Sequence, residues 1–411
     1  MVVKKDRYVP QWEKRNCNQC GLCHEACPGH GVDFERFNDA LFGDIPADIA
    51  LGRYLGCYVG HAVDESVRYS SASGGLVSSL LIFALEQGLV DGALVTRMCR
   101  DDPLKPEPFI ARTREEILSA ARSKYCPVAT NAALQEILES DDRIAVVGLP
   151  CHIQGIRKAE QRIPQLAKQI RYRISLACSM NFSFRGTERF LQNLGIARES
   201  VAAFEYRGRG WPGSVLVRLK DGTAWMIPYA ECYRRLGPYS LRRCTLCSDM
   251  LGELSDLTCG AAGIRDPRCD MPRLGTLPEM ARTDSMGSSF AISRTSAAEE
   301  LLEHAALNGA VELSELDLRD LLAGQNQALF KKRELSARML LSRLAGRSVP
   351  QYGQKRLSQT RADYLHSLRF YAARYVLSGY HPILRLFLRS ARQHKHRTPE
   401  SHGVPAEPVS T

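Results

Sequence analysis

The chain has 411 residues, enough for two or three domains with proper cores, and no run approaches the 18 apolar residues of a membrane span; Leu76–Leu85 is the longest and two serines interrupt it. The formal charge is +10, but residues 331–397 hold 16 Lys or Arg against 2 Asp or Glu, so the remainder is mildly acidic at −4 and a nucleic-acid-binding body is excluded. The start, Met-Val-Val-Lys-Lys-Asp-Arg, is charged and no apolar run follows it, which excludes a secretory signal; with 14 cysteines the chain reads as cytoplasmic, its thiols kept for metal.

Residues 1–35 carry the strongest signal. Cys17, Cys20, Cys23 and Cys27 form a C-x2-C-x2-C-x3-C-P run, the spacing by which bacterial-type ferredoxins hold a 4Fe–4S cluster. Gly21 lets the backbone turn between Cys20 and Cys23. A zinc knuckle or a pair of disulfides is the competing reading, but zinc sites more usually show two separated C-x2-C pairs. In two-cluster ferredoxins the Cys before Pro serves the other cluster. Either Cys27 folds back on the first cluster, or a remote cysteine completes it and Cys27 serves a second site.

Residues 36–56 read as a linker, and helix and strand signals alternate from about residue 57. Leu76, Val77, Leu80, Leu81 and Ala84 make a helical apolar face that Gly88 stops. Strands are expected at residues 93–95, 143–147 and 174–177, with helices at 129–138 and after Pro150, a helix-covered sheet. Beyond about residue 200 the texture is richer in strands. Residues 214–219 and 223–227 flank Asp221-Gly222, a hairpin signal. A strand at 290–293 leads into a helix at 297–307, closed by Gly309. The fold class is therefore mixed α+β or α/β, behind a small ferredoxin-type segment.

Three further elements have chemical potential. Cys244 and Cys247 form a C-x2-C, compatible with zinc, a redox dithiol or cluster ligation. Cys151 and Cys178 fall at predicted strand ends, where α/β sheets build sites, and would complete a four-thiolate set; each alone is more often a packed thiol. Cys57, Cys99, Cys126, Cys232, Cys259 and Cys269 lack such spacing and read as packing residues. Ser71-Ala72-Ser73-Gly74-Gly75 precedes a helix, and its exposed N–H groups would suit a flavin or nucleotide phosphate; an ordinary serine-capped turn explains it too. His152 reads as polar surface or a general acid. The 207–213 segment reads as a solvated turn or an anion or partner contact. No residue is assigned as catalytic.

Taken together, C-N-Q-C-G-L-C-H-E-A-C-P, S-A-S-G-G-L-V-S-S-L-L, V-D-G-A-L-V, S-K-Y-C-P, V-V-G-L-P-C-H-I-Q-G-I-R, Y-R-G-R-G-W-P-G, C-T-L-C-S-D and G-E-L-S-D-L resemble the coenzyme F-420 hydrogenase/dehydrogenase beta-subunit family across about residues 15–320. The resemblance implies an iron–sulfur flavoprotein oxidoreductase that passes electrons between 4Fe–4S clusters and FAD to a small-molecule acceptor or donor. It implies Cys151, Cys178, Cys244 and Cys247 as ligands of a second cluster beside that of Cys17, Cys20, Cys23 and Cys27. Ser73, Gly74, Gly75, Lys124 and Tyr125 would lie near the flavin. Coenzyme F-420 is a candidate substrate, and a redox partner protein or catalytic subunit is expected. The implied organisation is a ferredoxin-type segment at 1–35, a flavin region at 57–140, a C-terminal region with the second cluster at 141–320, and a basic helical tail at 331–411 with a disordered end. Two departures stand out: many members read P-C-Q at Pro150-Cys151-His152, and many carry Gly-Asp where this chain has Gly260-Ala261.

The alternatives are a non-catalytic electron-transfer subunit of a larger complex, in a hydrogenase, formate dehydrogenase or glycan biosynthesis setting, and a colourless zinc-stabilised binding module. The tail is expected either to pack on the body or a partner, or to lie on an anionic membrane through Leu365, Leu368, Phe370, Tyr371, Tyr375, Val376, Ile383, Leu384, Leu386, Phe387 and Leu388 with its arginines.

Overall fold

A computed structural model describes residues 1–11, 15, 17–43, 45, 47–263, 286–353 and 359–371. Its centre is an eight-stranded mixed sheet. Four neighbouring strands run parallel: Gly92–Met98, Ile144–Gly148, Ile170–Leu176 and Leu257–Ala261. Pro106–Ala111 adds antiparallel to Gly92–Met98 at one edge. On the other side Ser289–Ser293, Gly56–Ala62 and Val311–Glu315 continue the sheet antiparallel. Ile144, Ala145 and Val146 are fully buried, as a strand covered on both faces requires.

Helix Leu76–Glu86 buries residues all round, and it packs against the strand Gly56–Ala62 and the helices Arg114–Ser119 and Ser296–Leu307. A separate antiparallel sheet of Val201–Glu205, Ser214–Leu219 and Ala224–Pro228 has its own core around Phe190, Phe204 and Tyr206.

Most expected elements are present, with shifted ends. The helix expected at 129–138 is a 3-10 turn, Thr130–Ala133, followed by a short helix, Leu134–Leu138. The hairpin pairs as read, with Gly222 at φ +90°. The chain on either side of residue 140 shares one sheet, because Ile144–Gly148 lies beside Gly92–Met98. Strands Gly56–Ala62 and Val311–Glu315 had no clear signal.

The basic region begins inside a packed helix. Gln327–Leu344 buries Lys331, Glu334, Leu335, Ala337, Met339 and Ser342. Leu335 and Met339 meet Leu246, next to the C-x2-C pair. The strand Gln351–Gly353 then pairs in parallel with Gly31–Asp33, so the C-terminal extension holds the N-terminal segment. Helix Arg361–Tyr371 packs on Gln327–Leu344 and leaves Leu365 and Leu368 exposed. Tyr375, Val376, Ile383, Leu384, Leu386, Phe387, Leu388 and Cys269 lie outside the described residues. No described helix is long and apolar enough to cross a membrane.

Candidate functional site

The parallel strands deliver two of the cysteines. Cys151 stands in the first turn of helix Pro150–Glu160, directly after Ile144–Gly148, and Cys178 stands two residues beyond Ile170–Leu176. Both are at carboxyl ends of strands, where open parallel sheets place their ligands. Helix Arg242–Thr245 brings Cys244, and Cys247 follows.

The four thiols are close enough to perturb one another. Burial, opposed by Arg243, pushes Cys151 up to about 11, with Cys247 and Cys244 adding to the rise. Burial and then Cys244 push Cys178 well up. The Asn181 N–H donates to Cys244 Sγ at 3.3 Å, and Cys247 Sγ lies 3.2 Å from the Asp249 carbonyl. The thirteen described cysteines are all free thiols. No three His, Cys, Asp or Glu side chains among the described residues are placed to hold a metal ion as they stand. The fit to an iron–sulfur cluster therefore rests on the donor set: four thiols, an N–H directed at sulfur, and the cations Arg243 and Lys331 beside them.

The support beneath them is a buried ion network. Arg157 bridges Glu160 and Asp256 at 3.3 and 2.7 Å, and Arg173 joins the same two acids. Gly252 has φ +64°, and a Cβ there would sit 2.4 Å from Ser175 Oγ. The G-E-L-S-D-L string thus holds in register the strands that carry the cysteines.

The N-terminal run lies alongside. Cys17, Cys20, Cys23 and Cys27 are all exposed, and Gly21 adopts φ +78° before the helix Leu22–Glu25. Lys158, from the Cys151 helix, donates to the carbonyls of Cys27 and Gly31 at 3.3 and 2.6 Å. A Cβ on Gly29 would lie 3.3 Å from Cys27 Sγ and 3.6 Å from an Arg243 guanidinium nitrogen. Arg243 therefore stands between the two cysteine groups.

A cavity of about 560 Å³ opens against Cys178. It is lined by Gly148, Leu149, Ala177 and Gly260, by most of the 71–78 stretch, and by Tyr125, Arg207, Tyr229 and Tyr233. Gly75 is the N-cap of helix Leu76–Glu86 at φ +78°, and no side chain caps the helix, so its first N–H groups meet the cavity. Gly74 has a packing reason as well: a Cβ would sit 2.6 Å from the Gly60 carbonyl and the Ser289 N–H. Ser73 Oγ bonds Ser289 Oγ at 2.8 Å.

Lys124 and Tyr125 differ in availability. The Lys124 ammonium donates to the carbonyls of Ala120, Ala121 and Arg122, which uses its three protons on the end of helix Arg114–Ser119. Tyr125 is in contact with Phe182, Tyr206, Tyr229 and Tyr233 and its hydroxyl is 3.4 Å from Arg207. Arg207 is buried, lies 4.3 Å from the Tyr229 ring centre and donates to the Pro212 carbonyl; no carboxylate bonds it among the described residues. The solvated-turn reading of this segment therefore fails at Arg207.

His152 also differs from the surface reading, because it lines the cavity. The Leu149 N–H donates to Nδ1 at 3.2 Å and Thr130 Oγ1 lies 3.1 Å from the same atom. With Nδ1 accepting, the ring proton resides on Nε2. Burial and then Arg243 push its pKa down to about 4, so the ring is a neutral donor at neutral pH. Sequence reasoning missed Lys331 altogether and gave no particular weight to Arg243; neither carries a local signal.

Comparisons with known proteins match this architecture. Residues 57–135 match the N-terminal part, and residues 141–319 the C-terminal part, of the family described as "Coenzyme F420 hydrogenase/dehydrogenase, beta subunit". The chain is 27% identical to the coenzyme F420 hydrogenase subunit beta of Methanosarcina barkeri, over 53% of this chain and 74% of that one. It is 25% identical to the Methanothermobacter thermautotrophicus counterpart, over 66% and 87%. The coenzyme F420-dependent sulfite reductase of Methanocaldococcus jannaschii is 28% identical over 73% of this chain and 48% of that protein. A chain of the F420-reducing [NiFe] hydrogenase complex of Methanosarcina barkeri shares the fold, with a TM-score of 0.52 at 24% identity over 71% of this chain and 96% of that one.

Proposed function

Since the chain belongs to the coenzyme F420 hydrogenase/dehydrogenase beta-subunit family, we propose that it is an iron–sulfur flavoprotein oxidoreductase subunit. It holds two 4Fe–4S clusters and FAD and exchanges electrons with a small molecule of the coenzyme F420 class. The observation that carries the reading is the grouping of Cys151, Cys178, Cys244 and Cys247 close enough to act on one another, with Cys178 lining a cavity that also takes in an uncapped helix N-terminus. Cys17, Cys20, Cys23 and Cys27 hold the outer cluster.

FAD, when bound, joins one-electron cluster chemistry to two-electron substrate chemistry. The chain's own residues do the rest. The N–H groups after Gly75 receive a phosphate. The tyrosine wall excludes water, and Arg207 orients an anionic group of the ligand against it. His152 presents the Nε2 proton to the cavity in a fixed tautomer. A catalytic partner protein is part of the proposal, because the structural neighbour belongs to a hydrogenase complex. The exposed Leu365 and Leu368, beside Arg361 and Arg369, are the described portion of a peripheral contact with anionic lipid.

Protein purified without oxygen should contain about eight irons per chain and release FAD on denaturation. Cys244→Ser should remove half the iron and Cys20→Ser the other half. About four irons per chain, untouched by Cys244→Ser, would refute the two-cluster reading.

A further inference from the structure

The helix Gln327–Leu344 lies beyond both stretches that match the family, which end at residue 319. It nevertheless places a charge at the second cysteine group. Lys331 is buried, with 8% of its surface exposed. Its one hydrogen bond among the described residues is long, from Nζ to the Cys178 carbonyl at 3.4 Å. An ammonium has three protons to donate, and burying one without an anion is costly.

The nearby acids are engaged elsewhere. Glu253 pairs with Lys332 at 2.6 Å, and Glu334 is held by Arg338 and His366. Asp249 accepts from the Gln154 side chain at 2.9 Å and the Gly252 N–H at 2.7 Å. The groups that act electrostatically on Lys331 are Cys247, Cys178, Cys244 and Asp249, and the three thiols become negative only as thiolates that ligate a metal. Three of these are the thiols assigned above to the second cluster.

We propose that Lys331 is the counter-charge of the second cluster: it helps retain the cluster and raises its reduction potential. This rests on the two-cluster reading given above. A four-thiolate cluster is anionic and gains one further negative charge when it takes up an electron. A fixed cation therefore stabilises the reduced form more than the oxidised one. Local burial and charge are the levers by which a protein sets such a potential. In this chain the lever lies in the C-terminal extension, so the cluster beside the cavity is poised by a part of the molecule outside the matched family body.

The test uses the full chain purified without oxygen, as wild type, Lys331→Met, Lys331→Arg and Cys244→Ser. Iron per chain is counted, and each cluster is titrated potentiometrically by paramagnetic resonance. The signal that Cys244→Ser abolishes belongs to the second cluster. Lys331→Met should lower its reduced-to-oxidised ratio at fixed potential about ten-fold, a 59 mV shift for one electron, or lose that cluster's iron. Lys331→Arg should restore either property, and the first cluster should titrate as in wild type throughout. Full iron and an unchanged potential in Lys331→Met would overturn the proposal. So would equal damage in Lys331→Arg and Lys331→Met, since the effect would then be packing and not charge. Iron that Cys244→Ser leaves untouched would instead refute the second cluster itself, and this inference with it.

Discussion

The ammonium of Lys124 illustrates how a residue beside a cavity can serve the scaffold. Its three protons go to the carbonyls that end the helix Arg114–Ser119. It is a side-chain cap, and a phosphate would have to compete with main-chain oxygens for it. Lys124→Met should therefore lower stability by about 1–3 kcal/mol and leave the FAD-to-protein ratio near wild type. Loss of FAD without loss of stability would reverse that assignment. Burial, then Arg122, push the Lys124 pKa down to about 7. The unfolded chain keeps this proton up to about pH 10.4, so between pH 7 and 10 it binds more protons than the folded chain. Stability from this group is lost as pH falls towards 7 and gained as pH rises above it. Urea midpoints should show the gap between wild type and Lys124→Met widening from pH 7 to pH 9. The three carbonyls favour the ammonium and reduce the slope below the limit of about 1.4 kcal/mol per pH unit.

At the scale of elements, what the sequence displays depends on how local the cause is. The hairpin at Asp221-Gly222 was legible because a tight turn needs a residue at positive φ, and Gly222 supplies it. The N-terminal cysteine run was legible because its spacing is local. Cys151 and Cys178 were legible as strand-end residues, since short apolar strands precede both. The C-terminal helix was not. Its apolar and charged residues meet partners far away in sequence: Lys331 bonds a carbonyl 153 residues distant, and Leu335 and Met339 pack on Leu246. A charge count marked that segment as a basic helical tail and left its packing on the body as one of two expectations, with no signal for the partners it would meet. Truncation after Gln325 should consequently cost the second cluster's iron as well as stability, whereas truncation after Tyr371 should leave iron content unchanged. Equal iron in both truncations would show that the helix does not seal the site. Sedimentation of the full chain and the Tyr371 truncation with anionic vesicles at low ionic strength tests the remaining basic residues. Co-sedimentation of the full chain alone places the membrane contact beyond residue 371.

The whole molecule arranges its two cysteine groups by depth. Cys17, Cys20, Cys23 and Cys27 are exposed, whereas Cys151, Cys178, Cys244 and Cys247 are more enclosed and Cys178 lines the cavity. The two groups share supports. Lys158, on the Cys151 helix, binds the Cys27 and Gly31 carbonyls, and Arg243, beside Cys244, reaches the space next to Cys27. The pairing of Gly31–Asp33 with Gln351–Gly353 closes the N-terminal segment against the C-terminal extension. Such an order suits an outer group that meets a protein donor and an inner group that serves the cavity. It predicts that Cys20→Ser halves the iron while FAD content stays at the wild-type level. Dithionite, small enough to reach the inner centres directly, should still reduce the flavin in that variant. A protein donor such as a reduced ferredoxin should reduce it at least about ten-fold more slowly in stopped-flow mixing, because electron entry would lack its surface relay. If the ferredoxin-driven rate matches wild type after the outer iron is lost, electrons enter elsewhere. The exposed cysteine run would then be a structural cluster that holds the termini together.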